Sequence, residues 1–389
     1  MPPPSDVDQV LSEAIDRGDV PGVVAMAASR DGPIYEGAFG RRVLPDGATM
    51  TPDTVFWIAS MTKAITSTAA MQLVERGKLS LDRPIAEVLP ELALPQVLEG
   101  FDAAGEPRLR PATRPITLRH LITHTAGFTY EIWNPEMGRY MERRGVPGII
   151  SCRNAALDLP LAFDPGERWD YGIGIDWAGK AVERASGQRL SDYLAENLFG
   201  PIGMKDTGFK LTPDRRARLA GMHARGGDGT LTPIAFELPQ EPEFEMGGGG
   251  LYGTAADYLA FERVFLNEGR ADGRQVLKPE TVRLIAENAM GDLNVALLKT
   301  ALPAYSHDAE FFPGMVKKWG LGFMISTEPV PGGRCAGALC WAGLGNTYFW
   351  IDREAGIAGV ILLQLLPFAD PKALALLEKF EKALYIGLA

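Results

Sequence analysis

Residues 335–364 read CAGALCWAGLGNTYFWIDREAGIAGVILLQ. Cys335 to Trp341, Asn346 to Asp352 and Ile357 to Gln364 are short apolar or alternating runs parted by breaks that contain glycine. That pattern predicts three consecutive antiparallel strands. The other end of the chain carries a matching signal. Gly22 to Arg30 is a continuous apolar run, Asp31-Gly32 follows, and Ile34 to Gly40 is a second run. An Asp-Gly pair between two such runs predicts a β-hairpin. Strands at both ends with helical patterns between them predict an α+β fold. Its antiparallel sheet is assembled from the N- and C-terminal strands, flanked by helices, and joined to a smaller, mainly helical lobe.

The helical patterns fill the rest. Val7, Val10, Leu11 and Ile15 give helical spacing from Asp6 to Arg17, closed by Gly18. Trp57 to Arg76 reads as one long helix stopped by Gly77. From Leu81 to Gly187 the chain is richer in Pro and helical patterns, with a helix start at Thr117. Further helices are expected from Asp257 to Gly269, Pro279 to Met290 and Pro371 to Leu384. The expected lobes are 1–85 with 178–389 and, smaller and helical, 86–177, with the active site at their interface.

Composition narrows the function. The 389 residues carry 39 basic and 49 acidic side chains, a net charge of -10. That argues against nucleic acid as a partner, and against a polybasic membrane patch. Cys152, Cys335 and Cys340 are too few for a disulfide framework and are expected as thiols. The opening MPPPSDVDQV has neither the basic start nor the apolar core of a signal peptide, and no run of 18 apolar residues occurs. The expected compartment is the cytoplasm.

Several motifs are set aside. His120 and His124 stand four apart on a helical pattern, but no third ligand accompanies them, so no metal is expected. Gly172, Gly174 and Gly179 have the wrong spacing for a dinucleotide loop. Gly247 to Gly250 lacks the Lys-Ser/Thr of a phosphate loop. No Gly-x-Ser-x-Gly elbow occurs.

Ser60-Met61-Thr62-Lys63 has the Ser-x-x-Lys pattern at the start of the long helix. Residues three apart share a helix face, so the Lys amine lies about one turn from the Ser hydroxyl. A serine hydroxyl needs a nearby base to become a nucleophile. Tyr171, beside the glycines after Pro165-Gly166, supplies a second proton carrier. Trp341-Ala342-Gly343-Leu344 ends the first C-terminal strand, where the N–H groups of Leu344 and Ser60 can form an oxyanion hole.

These motifs, in this order, resemble those of the family VIII carboxylesterases, relatives of class C β-lactamases and penicillin-binding DD-peptidases. Leu121 to Gly127, Phe199 to Met204 and Gly248 to Leu251 are similar to further segments of the same superfamily. The likeness spans nearly the whole chain. It implies a β-lactamase/DD-peptidase-like fold and a serine acyl-enzyme on Ser60. Lys63 and Tyr171 would move the protons, Tyr171 being the expected base toward Ser60, with a rate that rises into the alkaline range. No cofactor is implied. Class C β-lactamases carry Tyr-x-Asn and Lys-Thr-Gly, where this chain has Ile173 and Trp341. Loss of that amide and that cation favours a neutral ester over an anionic lactam. The resemblance therefore implies a small-molecule ester of short to medium acyl chain, with weak cephalosporin hydrolysis as a side activity. Acyltransferases of the lovastatin-synthesis type share the Ser, Lys and Tyr, so acyl transfer and amide cleavage stay open. Trp341, Gly343, Tyr130 and Phe128 are the expected substrate-binding residues. Trp133, Met137, Phe311, Phe312 and Trp319 are further pocket candidates. The oligomeric state is not legible.

Overall fold

Seven strands hydrogen-bond into one antiparallel sheet that joins the two ends of the chain. The computed structural model describes residues 4–387. The strands are β1 (Gly22–Ser29), β2 (Pro33–Gly40), β3 (Lys317–Trp319), β4 (Met324–Ser326), β5 (Leu339–Gly343), β6 (Thr347–Asp352) and β7 (Ile357–Leu362). Their order across the sheet is β3-β4-β5-β6-β7-β1-β2. The seam between the ends is β1 on β7, with Val24 opposite Leu362 and Ser29 opposite Ile357.

Both faces of this sheet are covered, which is why its central strands read as continuous apolar runs. Phe349 and Trp350 are neighbours in β6 and so point to opposite faces. Phe349 packs on Tyr258 of the helix Ala255–Leu266, with ring centroids 5.0 Å apart. Trp350 packs on Phe380 of the C-terminal helix Pro371–Ile386 at 5.7 Å. The same C-terminal helix is pinned to the loop before β5 by a buried ion pair. Arg334 donates Nε to Glu381 Oε1 at 2.8 Å, its second nitrogen to Oε2 at 2.5 Å, and its backbone N–H to Oε1 at 2.9 Å.

The structure departs from the sequence reading at several elements. The helix expected from Trp57 begins only at Thr62 and runs to Glu75 (α1). Phe56–Trp57 instead pairs with Tyr252–Gly253, and Ala59–Met61 is a 3-10 turn. The backbone of Trp57 is held at both ends by Gln364, at 3.2 Å and 3.0 Å, which leaves it unable to join a helix. Periodicity could not mark the start, because α1 is buried all round from Thr62 to Leu73. Second, the middle of the chain holds a β-hairpin, Gln96–Phe101 with Pro107–Pro111. Its exposed, charged second strand has no apolar signature. Third, β3 and β4 are three residues each, too short for a pattern. The helix Gly174–Ser186 (α2) is continuous through residue 177, the expected end of the smaller lobe. That helix packs on α1 and carries residues of the site described below. Among the described residues no helix is long and apolar enough to cross a membrane.

The Arg334–Glu381 pair generates a stability test. Glu381→Gln leaves a buried guanidinium without its counter-charge, which costs about 3 kcal/mol. The urea midpoint should fall at unchanged m-value. A shift equivalent to less than about 0.5 kcal/mol would mean that the pair contributes no more than an exposed one.

Candidate active site

Ser60 sits in the middle of the 3-10 turn, and Lys63 in the first turn of α1. The residue before Ser60, Ala59, has φ +46°, in the left-handed region that costs a non-glycine residue about 1 kcal/mol. The clamp of Gln364 on Trp57 and the bond from Ile58 N–H to Leu251 O hold this turn in place.

Lys63 is fully buried, and its Nζ meets three acceptors. They are Ser60 Oγ at 3.2 Å, Tyr130 OH at 3.0 Å and Gly248 O at 2.6 Å. An ammonium has three hydrogens, so each finds a partner. Burial nevertheless disfavours the charge. It pulls the Lys63 pKa down to about 7, against the opposing attraction of Asp176.

Tyr171 faces the same serine. Its hydroxyl accepts the indole N–H of Trp341 at 2.9 Å, and Tyr171 and Ser60 line the same cavity. Its ring centroid is 4.7 Å from Lys63 Nζ. Burial pushes this phenol well above its ordinary value, and Ser60 and Trp341 only partly offset that. Burial thus favours the uncharged form of both groups, the free amine of Lys63 and the intact phenol of Tyr171.

The end of β5 closes on the serine. A Cβ on Gly343 would lie 2.4 Å from the Ile58 carbonyl oxygen and 2.3 Å from Thr347 Oγ1, so only glycine lets the strand meet the turn this closely. Leu344 and Ser60 line one cavity of about 540 Å³. Tyr130, Trp133 and Tyr171 line it too, with Ile132, Ile149, Phe236 and Leu302. Trp341, Gly343 and Leu344 border a narrow cleft at Ser60.

Phe128 lies elsewhere. Its ring stacks on Trp177, centroids 6.4 Å apart, and both line a separate cavity of about 1080 Å³ that includes none of Ser60, Lys63 or Tyr171. The expectation that Phe128 binds substrate at Ser60 is corrected on that ground: its ring faces Trp177 and the other cavity. Met137 is in the core. Phe311 and Trp319 support Trp341 from behind, at 5.2 Å and 4.6 Å between centroids, and Phe312 lies under the Arg334 guanidinium. His124 is a packing residue, its ring 4.6 Å from Tyr171 and 5.0 Å from Trp319. His120 completes the N-terminal cap of the helix Leu118–Ile122 with Thr117. Ile173 is buried and lines neither the cavity nor the cleft.

One site residue escaped the sequence reading. Asp176, on α2, accepts Gly248 N–H at 2.8 Å through Oδ1, while its buried Oδ2 has no hydrogen-bond partner. Burial pushes this carboxyl up to about 6, and Lys63 pulls it back. Asp176 thus holds the peptide whose carbonyl holds Lys63. A Cβ on Gly248 would lie 2.4 Å from Asp176 Oδ2, which explains a glycine there. The run Gly247 to Gly250 was a visible signal, but nothing in the sequence joined it to Asp176. Tyr130 was expected as pocket wall only, whereas its hydroxyl also touches Lys63.

Comparison with known proteins adds an independent line. The beta-lactamase family model matches residues 7–382. Monacolin J acid methylbutanoyltransferase of Aspergillus terreus is 35% identical over 97% of this chain and 95% of its own. Lovastatin esterase of Penicillium rubens is 33% identical over 97% and 98%. Unliganded simvastatin synthase (LovD) of Aspergillus terreus superposes with TM-score 0.87 at 31% identity, covering 99% of this chain and 98% of that one.

The closeness of Gly343 to Ile58 sets a test of geometry. Gly343→Val drives the strand end away from the Ser60 turn, and a misplacement of about 1 Å costs roughly a hundredfold in kcat/KM. The far-UV spectrum should stay that of the parent. Near-parental activity in the folded variant would show that the close approach is not needed.

Proposed function

Because the chain belongs to the beta-lactamase family, and its fold and relatives make it a serine acyl-enzyme hydrolase or acyltransferase, we propose that it cleaves apolar carboxylic esters through an acyl group on Ser60. One observation carries this reading. Lys63 donates to Ser60 Oγ and lies 4.7 Å from the Tyr171 ring centroid, and Ser60 and Tyr171 line one apolar cavity.

The chemistry follows from the proton positions. Neutral Lys63 takes the proton of Ser60 Oγ as the oxygen attacks the ester carbonyl. The N–H groups of Ser60 and Leu344 hold the oxyanion. Tyr171, still protonated, gives its proton to the departing alkoxide, and the adjacent Lys63 ammonium stabilises the phenolate left behind. The phenolate then accepts a proton from the entering water or alcohol. Collapse of the second tetrahedral adduct returns the Lys63 proton to Ser60 Oγ. Trp341 steadies Tyr171 through its N–H, and Tyr130 and Gly248 hold Lys63 in line.

Trp341 and Ile173 support a neutral ester as substrate, since neither offers a cation or an amide to a lactam. The relatives support two fates for the acyl group: one transfers a methylbutanoyl group, and another is an esterase. Entry of water gives hydrolysis, and entry of an alcohol gives transfer.

Two measurements test this. Wild type should hydrolyse p-nitrophenyl butyrate, with butyl butyrate formed when 1-butanol is added, and Ser60→Ala should lose roughly a thousandfold or more. Turnover that survives Ser60→Ala would remove Ser60 as the nucleophile. The pH profile tests the base. With Lys63 active as the free amine, kcat/KM should rise about tenfold per pH unit below its pKa of about 7 and level above it. A rate climbing steadily from pH 7 to pH 10 would restore Tyr171 as the base.

A further inference from the structure

The cavity at Ser60 carries an unbalanced charge. Two carboxylates line it, Glu131 and Glu237, and among the described residues no lysine or arginine does. Glu237 is already paired, its Oε1 and Oε2 receiving Arg216 at 2.8 Å and 2.5 Å. Among the described residues Glu131 has no ion pair and no side-chain donor. Burial holds its carboxyl above the ordinary range, as befits an acid that folding has partly desolvated without a counter-charge. Glu131 is half-buried and faces the cavity without a counter-charge, so it is open to a partner brought by a ligand.

The walls around it fit a cation. Trp57, Tyr130, Trp133, Tyr171, Phe236 and Tyr305 all line the cavity. Tyr130, Trp133 and Tyr171 form one ring cluster, with centroids 5.4 Å to 5.9 Å apart, and Trp57 and Phe236 a second at 4.6 Å. Aromatic faces attract quaternary and primary ammonium groups, most strongly where water is excluded. The same cavity opposes a carboxylate. A ligand anion would meet Glu131, with no lysine or arginine among the described residues that line the cavity to offset it. Trp341 also stands where the resemblance would place a lysine.

We propose that the Ser60 cavity selects substrates that carry an ammonium group, with Glu131 as counter-ion among the aromatic rings, and discriminates against carboxylates. This rests on the reading of the cavity as the acyl-enzyme site and names its substrate class. It would set the chain apart from relatives whose names specify acids, monacolin J acid and ML-236A carboxylate.

Three free probes of similar size test it without assuming which side of the ester bears the charge. They are benzyltrimethylammonium, its neutral isostere neopentylbenzene, and 3-phenylpropanoate. Each is titrated as a competitive inhibitor of p-nitrophenyl butyrate hydrolysis at pH 7.5, with wild type and with Glu131→Gln. In wild type the cation should bind at least about tenfold more tightly than the neutral probe, and the anion more weakly than either. In Glu131→Gln the preference of the cation over the neutral probe should shrink to about threefold or less. The readout is the ratio within each protein, so a general loss of activity does not disturb it. No cation preference in wild type, or one unchanged in Glu131→Gln, would overturn the inference. If wild type leaves the ester uncleaved, the same ratios are read by calorimetry. Cation preference there would uphold the site while the acyl-enzyme reading fails, and its absence would refute the site as well.

Discussion

The desolvated amine of Lys63 is the constraint on which the site depends. An ammonium removed from water must find acceptors for all its hydrogens, or lose a proton. Here the acceptors come from three places in the chain: the turn just before α1, Tyr130 in the middle segment, and the Gly248 carbonyl. The amine therefore fixes how three distant segments meet. Asp176 extends the same network by one peptide, since it binds the N–H of the glycine whose carbonyl binds Lys63. Because the solvation is replaced only in part, the amine is left near the point of losing its proton. That is the condition a base at neutral pH requires.

The sheet supplies the opposing wall. Joining β1 to β7 brings the two ends of the chain together, and the order of strands then sets β5 where Gly343 abuts Ile58. Two backbone segments far apart in sequence thus come within reach of one another, and Ser60 and Leu344 line one cavity. Packing on both faces and the Arg334–Glu381 pair hold that arrangement rigid. The same burial that makes the site stiff also moves its proton affinities, downward for Lys63 and upward for Tyr171. Scaffold and chemistry share a single cause.

Much of this was legible in the residues. The three C-terminal runs became β5, β6 and β7, with the first starting later than expected because the chain turns at Gly337, φ +81°. The hairpin at Asp31-Gly32 formed where the turn signal stood. Ser60, Lys63, Tyr171, Trp341 and Gly343 are gathered at one place. What was not legible has definite reasons. Trp57 carries a helical pattern, but Gln364 holds its backbone from across the fold. Phe128 and Tyr130 are near neighbours in sequence, yet Phe128 opens on one cavity and Tyr130 on another. Asp176 had no motif of its own.

The sequence by itself determined which atoms can do chemistry and which elements carry them. Hydroxyl, amine and phenol are covalent facts, and a spacing of three on a helix is local geometry. The strand patterns at the two ends are local as well, because apolar runs between turns record burial residue by residue. Only the tertiary structure decided the electrical state of those atoms and the charge of the space before them. Proton affinity depends on how completely water is excluded and on which charges lie across the gap, and both are sums over residues far apart in the chain. The lowered proton affinity of Lys63 and the raised affinities of Tyr171 and Glu131 are consequences of that exclusion.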